Sequence, residues 1–269
     1  MASGGMGAVY VARDLELGRE VALKVVDTDD PAAGERMRRE AQILARLEHP
    51  GLVPVHDVGT LSDGRCFYAM KLVRGRRLDE HAREGRSLPE LLRVFEKVCE
   101  AVAFAHAQGV LHRDLKPANV MVGPFGEVLV MDWGMARLRS GPGESPGTVL
   151  GTPGYMPPEQ ARGEPDKVDE RSDVYALGAI LRFLVEPAAP AALAAVCRKA
   201  MAEDPAARYG SVRELSEEIV RFLQALPVSA HRERTWERLV RVFTKYQTAA
   251  VLIAAYLVMR TLLAFFGRI

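Results

Sequence analysis

Apolar residues follow two rhythms along this chain. Through the first seventy positions they come as short runs, Ala8 to Ala12, Val21 to Val26, Leu52 to Val55 and Cys66 to Val73, set apart by turn-forming pieces such as Ser62-Asp63-Gly64. Such runs between turns predict strands, here of a small antiparallel sheet. One helix interrupts them: Met37, Ala41, Leu44 and Leu47 recur at helical spacing, with Arg and Glu covering the other face.

After Arg74-Gly75-Arg76 the period lengthens. Leu91, Val94, Phe95, Val98, Val102 and Ala105 make a wide apolar stripe on a helix from Leu91 to Ala107. Two β-like runs, Val120 to Val122 and Val128 to Met131, flank Gly123-Pro124-Phe125-Gly126 and predict a hairpin. Leu138 to Val149 is rich in Gly, Pro, Ser and Thr, as expected of an exposed loop with hydroxyls open to modification. Further helices are expected at Ser172 to Glu186, Ala191 to Ala202 and Val212 to Leu226. The fold class is therefore α+β, with a small sheet and one helix over 1–73 and a mainly helical part over 74–226.

The tail differs in kind. From Ala249 to Phe266 the only charge is Arg260, and the run approaches the roughly 20 residues that cross a bilayer. Arg260 would cost about 2.5–3.5 kcal/mol at the centre of a span. Residues 227–248 hold Arg232, Arg234, Arg238, Arg241 and Lys245, with Trp236, Leu239, Val240 and Phe243 on one helical face. A basic amphipathic entry followed by an apolar helix at 249–266 predicts a single-pass protein of the inner membrane with the rest of the chain in the cytoplasm, the alternative being a helix that lies in the membrane plane or is buried against a partner.

Charge balances at 36 Lys plus Arg against 35 Asp plus Glu over 269 residues, so no global field draws the chain to nucleic acid. Cys66, Cys99 and Cys197 stand far apart without a CxxC pair, which points away from a disulfide framework or a zinc site. The start, MASGGMGAVY, lacks the charged and apolar regions of a secretory signal.

Candidate chemistry is concentrated in a few short segments. Gly4-Gly5-Met6-Gly7 alone reads as a tight turn as readily as a ligand loop. With Val9 two residues on and Val21-Ala22-Leu23-Lys24 in the next strand, it can bring backbone N–H groups and an ammonium onto phosphates. Taken singly, Lys24 could be a solvated strand residue, and Glu40 one more charge on a basic helix. The strongest signal is His112-Arg113-Asp114-Leu115-Lys116-Pro117-Ala118-Asn119, followed by the hairpin and then Asp132-Trp133-Gly134. In this order and context the segments resemble the bacterial eukaryotic-like (Hanks-type) serine/threonine protein kinases.

That resemblance implies a bilobal kinase fold using ATP and Mg²⁺ to phosphorylate Ser/Thr hydroxyls of protein substrates. It makes Asp114 the catalytic base, Lys116 a γ-phosphate contact, and Lys24, paired with Glu40, the contact to the α- and β-phosphates. Asn119 and Asp132 would hold the metal. Gly4, Gly5, Gly7, Val9, Ala22, Met70, Val73 and Met121 would line the ATP site, plain core packing being nearly as good an account of the apolar ones. Gly151 to Glu159 is similar to the family's segment ending in APE, which implies an ion pair of Glu159 with Arg208. Asp173 would anchor the catalytic loop, and Thr152 would contact Asp114 and Lys116. Thr148 and Ser145 are the candidate phosphosites, through which a homodimer could autophosphorylate in trans and a phosphate could neutralise Arg113.

Three departures stand out. The family's first glycine falls on Ala2, so its first strand is expected to be missing and ATP binding weakened. Trp133 stands where the family has Phe, a swap expected to be tolerated. The link from Glu186 to Leu193 is short where relatives carry more chain. The same residues are compatible with a membrane-tethered pseudokinase or scaffold; the long Ser/Thr loop and Pro157-Pro158-Glu159 speak against a small-molecule phosphotransferase.

Overall fold

The computed structural model describes residues 2–4, 7–26, 31–139, 147, 149–232, 251, 253 and 255–262. Its first lobe is a five-stranded antiparallel sheet. Strands β1 (Ala2–Gly4), β2 (Gly7–Asp14), β3 (Arg19–Val25), β4 (Val55–Thr60) and β5 (Cys66–Lys71) lie in the order β1-β2-β3-β5-β4. Helix α1 (Pro31–Ala45) packs on this sheet through Met37, Ala41 and Leu44, all buried.

Two expectations change here. The first strand, expected to be missing, is present as three residues, with Ala2 opposite Val9 and Gly4 opposite Gly7. Of the run Leu52 to Val55 only Val55 belongs to a strand, as the first residue of β4: Leu52 and Val53 are buried, but they lie in the link before it, where Leu52 bridges to Val130. Its apolar character comes from packing between the lobes. The true strand, β4, is a mostly exposed sheet edge and so carries little apolar signal.

Gly7 is required where it stands. Its φ of 141° suits glycine, and a Cβ there would lie 2.3 Å from the Val25 carbonyl oxygen.

The second lobe is built on α3 (Leu88–Ala107), α5 (Glu170–Val185), α6 (Ala191–Ala200) and α7 (Val212–Leu223). A capping box fixes the start of α3: Glu90 accepts from the Ser87 backbone N–H at 2.9 Å, and Pro89 stands in the first turn. At α5 and α7 the N-cap side chain itself accepts from the first turn, Asp169 from the Arg171 N–H and Ser211 from the Glu214 N–H. Leu92, Phe95, Val102, Leu177, Ile180, Leu193 and Ile219 are fully buried between these helices. Each contributes roughly 1.5–3 kcal/mol of apolar transfer. Smaller elements rim this core: β6 (Arg76–Arg77), α2 (Leu78–Ala82), β7 (Val110–Leu111), β8 (Val120–Val122), β9 (Val128–Val130), β10 (Arg137–Leu138) and α4 (Pro158–Ala161).

The lobe runs past the expected boundary at 226. Val228 is buried, and the Ser229 N–H donates to buried Glu218 at 2.6 Å. Of the run at 249–266, the described positions are helical, and Val251, Ile253, Tyr256, Leu257, Val258, Met259 and Leu262 are all more than half exposed. Among the described residues, no helix is long and apolar enough to cross a membrane. The expected basic entry falls largely on 233–248, outside the described residues.

One buried ion pair ties α4 to the loop before α7. Arg208 meets both oxygens of Glu159 at 2.8 Å, and both side chains have no exposure. All five guanidinium N–H groups find acceptors, the others being the carbonyls of Ala202, Arg171 and Glu203. Ser172 donates to Glu159 as well, at 2.7 Å. Arg208→Ala would strand the carboxylate in the core, and urea unfolding should register a loss of about 3–5 kcal/mol. A loss below about 1 kcal/mol would mean that water reaches the site.

Candidate active site

The site lies between the lobes. On β3, Lys24 faces Val9 of β2 and Tyr68 of β5, and Ala22 faces Met70. Directly opposed and i±2 side chains share a face, so Val9, Ala22, Lys24 and Met70 line one side of the sheet. Ala22 and Met70 are buried, while Val9, Val73 and Met121 are partly so. Of the glycines, Gly4 and Gly7 close the β1–β2 pairing, and Gly5 lies outside the described residues.

Lys24 Nζ meets Glu40 Oε1 and Oε2 at 2.8 and 3.0 Å, and Asp132 Oδ1 at 3.4 Å. Burial pulls the lysine's pKa down, but Glu40 and Asp132 more than offset it, so the net shift is upward and the ammonium stays charged. The Tyr68 hydroxyl donates to Glu40 Oε1 at 2.8 Å.

On the large lobe, the segment 112–119 is held from within. Buried Asp173 on α5 accepts from the His112 and Arg113 N–H groups, each at 2.9 Å, and its other contact is His106 Nε2 at 2.7 Å. Burial raises this carboxyl's pKa, and these donors lower it further than burial raises it. Arg113 thereby keeps a left-handed φ of 68°, unfavourable for a side chain of its size. His112 Nδ1 accepts from the Asp114 N–H at 3.3 Å, which leaves Nε2–H to donate to the Met131 carbonyl at 3.0 Å.

Asp114 is almost buried and surrounded by donors. Thr152 Oγ1 donates to its Oδ1 at 2.7 Å, and Lys116 Nζ lies 2.7 Å from its Oδ2 and 2.7 Å from Thr152 Oγ1. Asn119 Nδ2 donates to the Asp114 carbonyl at 2.9 Å and to Oδ2 at 3.2 Å. With the amide nitrogen committed, the oxygen of Asn119 is left for another ligand. The Met131 N–H donates to the Asn119 carbonyl at 2.8 Å, placing Asn119 beside the segment that carries Asp132.

Asp132 also has a left-handed φ, 57°, and a half-exposed carboxylate. An amide oxygen and a carboxylate are hard donors of the kind Mg²⁺ takes, its remaining positions being filled by phosphate and water. The pair fits an ion that arrives with a nucleotide. Among the described residues, no group of three or more His, Cys, Asp or Glu could hold a metal without one.

The family model of the protein kinase domain matches residues 1–241. The chain belongs to the protein kinase family. Within it, the kinase domain is similar to serine/threonine-protein kinase PknB of Mycobacterium tuberculosis, 37% identical over 86% of this chain and 43% of the relative. It is also similar to the PknD kinases of Chlamydia felis, 35% identical over 83% of the chain and 30% of the relative, and Chlamydia trachomatis, 33% identical over 83% and 31%. These matches place it with the bacterial Hanks-type serine/threonine kinases. The chain spans less than half the length of the curated relatives it matches.

Several residues of the kinase site carried no readable signal. Gln160 donates through Nε2 to the Arg113 carbonyl at 2.7 Å and to the Leu150 carbonyl, joining α4 to the strained turn. Tyr68 and His106 do the same for Glu40 and Asp173. Only His106 left a trace, as a titratable residue at the end of the apolar stripe of α3. Trp133 is buried, donates to the Val130 carbonyl at 3.2 Å and lies against the His112 ring at 4.5 Å. Thr148 and Ser145 lie outside the described residues, while Arg113, opposite them in the kinase reading, donates to the Met135 carbonyl at 2.8 Å.

Acid should loosen this framework in a defined direction. The carboxyls of Asp173 and Glu159 both have lowered folded pKa values, net of the burial that opposes them. Below the ordinary carboxylate range near pH 4 the unfolded chain binds more protons than the folded one, so the stability they contribute is full near neutrality and is lost as pH falls through their folded values. Urea midpoints measured from pH 7 to pH 3 should fall, and Asp173→Asn should flatten the fall.

Proposed function

We propose that this domain transfers the γ-phosphoryl group of ATP to Ser/Thr hydroxyls of proteins, with Asp114 as the base. What supports this above all is Lys24, whose ammonium bridges Glu40 of one lobe and Asp132 of the other. A cation for phosphate, a carboxylate for metal and a proton acceptor thus converge on one cleft.

In this reading Lys24, oriented by Glu40, holds the α- and β-phosphates. Val9, Ala22, Met70, Val73 and Met121 enclose the base, and the Gly4–Gly7 hairpin covers the phosphates. When bound at Asn119 and Asp132, Mg²⁺ supplies charge neutralisation for the phosphates. Asp114 orients the incoming hydroxyl and takes its proton, as its Oδ1 already accepts the hydroxyl hydrogen of Thr152. Lys116, beside that carboxylate, is placed to meet charge on the transferring group. Phosphorylation at Thr148 or Ser145, in trans between two copies, would add an anion for Arg113.

The tail supports an anchor in the cytoplasmic membrane. Apart from Arg260 and Thr261, its described positions are apolar, and they are exposed around the helix, a surface that suits lipid better than water.

Transfer from labelled ATP to a Ser/Thr protein substrate tests the enzymatic reading. Asp114→Asn should cut turnover by roughly 10²–10⁴-fold, and Lys24→Met should remove nearly all labelling. Equal labelling by wild type and both variants, or none by any, would favour a scaffold instead. For the anchor, the full chain should stay with the membrane fraction through an alkaline carbonate wash; release into the wash would refute it.

A further inference from the structure

Glu40 is held by two strands rather than one. Tyr68 on β5 lies directly opposite Lys24 on β3, so both side chains leave the same face of the sheet and meet the same carboxylate. The Tyr68 hydroxyl and Lys24 Nζ each lie 2.8 Å from Glu40 Oε1, and Lys24 Nζ sits 5.7 Å from the centre of the Tyr68 ring. Tyr68 is 2% exposed and Glu40 5%, so water cannot readily replace either partner. Burial and then the Glu40 charge push the phenol's pKa up, which keeps it a donor.

We infer that Tyr68 is a positioning residue, a neutral latch on β5 that holds Glu40, and with it helix α1, against the sheet in parallel with Lys24. The latch itself follows from the geometry, and its consequence for catalysis rests on the kinase reading above. There, Lys24 must divide its ammonium among Glu40, Asp132 and phosphate oxygens. A second donor on another strand keeps Glu40 seated while the lysine is shared. Tyr68 also stands two residues before Met70 on the same strand and face, so the wall of the base pocket and the position of α1 are joined through one short piece of β5.

The molecule contains its own reporter of this latch. Gly34 of α1 lies over Cys66, at the start of β5: a Cβ on Gly34 would stand 3.2 Å from Cys66 Sγ. Cys99 and Cys197 are buried in the other lobe. In the full chain without nucleotide, Tyr68→Phe keeps the ring and removes the donor. Cys66 should then react roughly tenfold faster with a thiol reagent, with Cys99 and Cys197 unchanged. The Kd for ATP should rise by a similar factor. On a Glu40→Ala background the same Tyr68→Phe change should alter either quantity less than about twofold, because the acceptor is gone.

Unchanged Cys66 reactivity would overturn the latch. So would a Tyr68→Phe effect that persists in full on Glu40→Ala, or equal acceleration at all three thiols, which marks general loosening. Wild-type protein that binds no ATP while the thiols follow the expected pattern would support the latch and overturn the kinase reading.

Discussion

The buried carboxylate of Asp173 is the fixed point of the catalytic lobe. A negative charge within a helix core is costly unless several donors meet it, and here two backbone N–H groups and a histidine do. The same contacts hold Arg113 in a backbone conformation it would not adopt alone. Asp114 is the next residue, so its direction is inherited from α5. A strained turn and a buried charge stabilise each other.

Around that point the site is assembled in layers of backbone rather than by side chains alone. His112 links the Asp114 amide to the Met131 carbonyl, and the Met131 amide returns to the Asn119 carbonyl. Asp114, Asn119 and the segment that carries Asp132 are therefore tied to one another through backbone hydrogen bonds. From the small lobe the Lys24 ammonium reaches Asp132, so the two halves meet where charge on a phosphate would be handled. This division suits a reaction in which positioning and electrostatics supply most of the rate.

Sequence was most informative where chemistry is local. The segment 112–119 and the hairpin behind it are nearly contiguous, so the family resemblance their motifs carry was enough to bring Asp114, Asn119 and Asp132 together. The long apolar stripe of α3 likewise announced its buried face. What stayed hidden depends on pairing between distant segments. Tyr68 reads as one more aromatic in an apolar strand until the register sets it opposite Lys24. Gln160 gains its part only when α4 folds against the Arg113 turn. Leu52 and Val53 misled in the other direction, since burial between lobes mimics a strand in composition.

Trp133 replaces a smaller aromatic of the family and fills its place without exposure, against the ring of His112 and one residue from Asp132. An indole in that position is a built-in fluorophore at the junction of the segments that carry Asp114 and Asp132. The sequence contains only one other tryptophan, Trp236. Changes in how the Asp132 segment packs should therefore appear in the protein's own emission, so that ligand arrival at the cleft can be followed optically without attaching a dye.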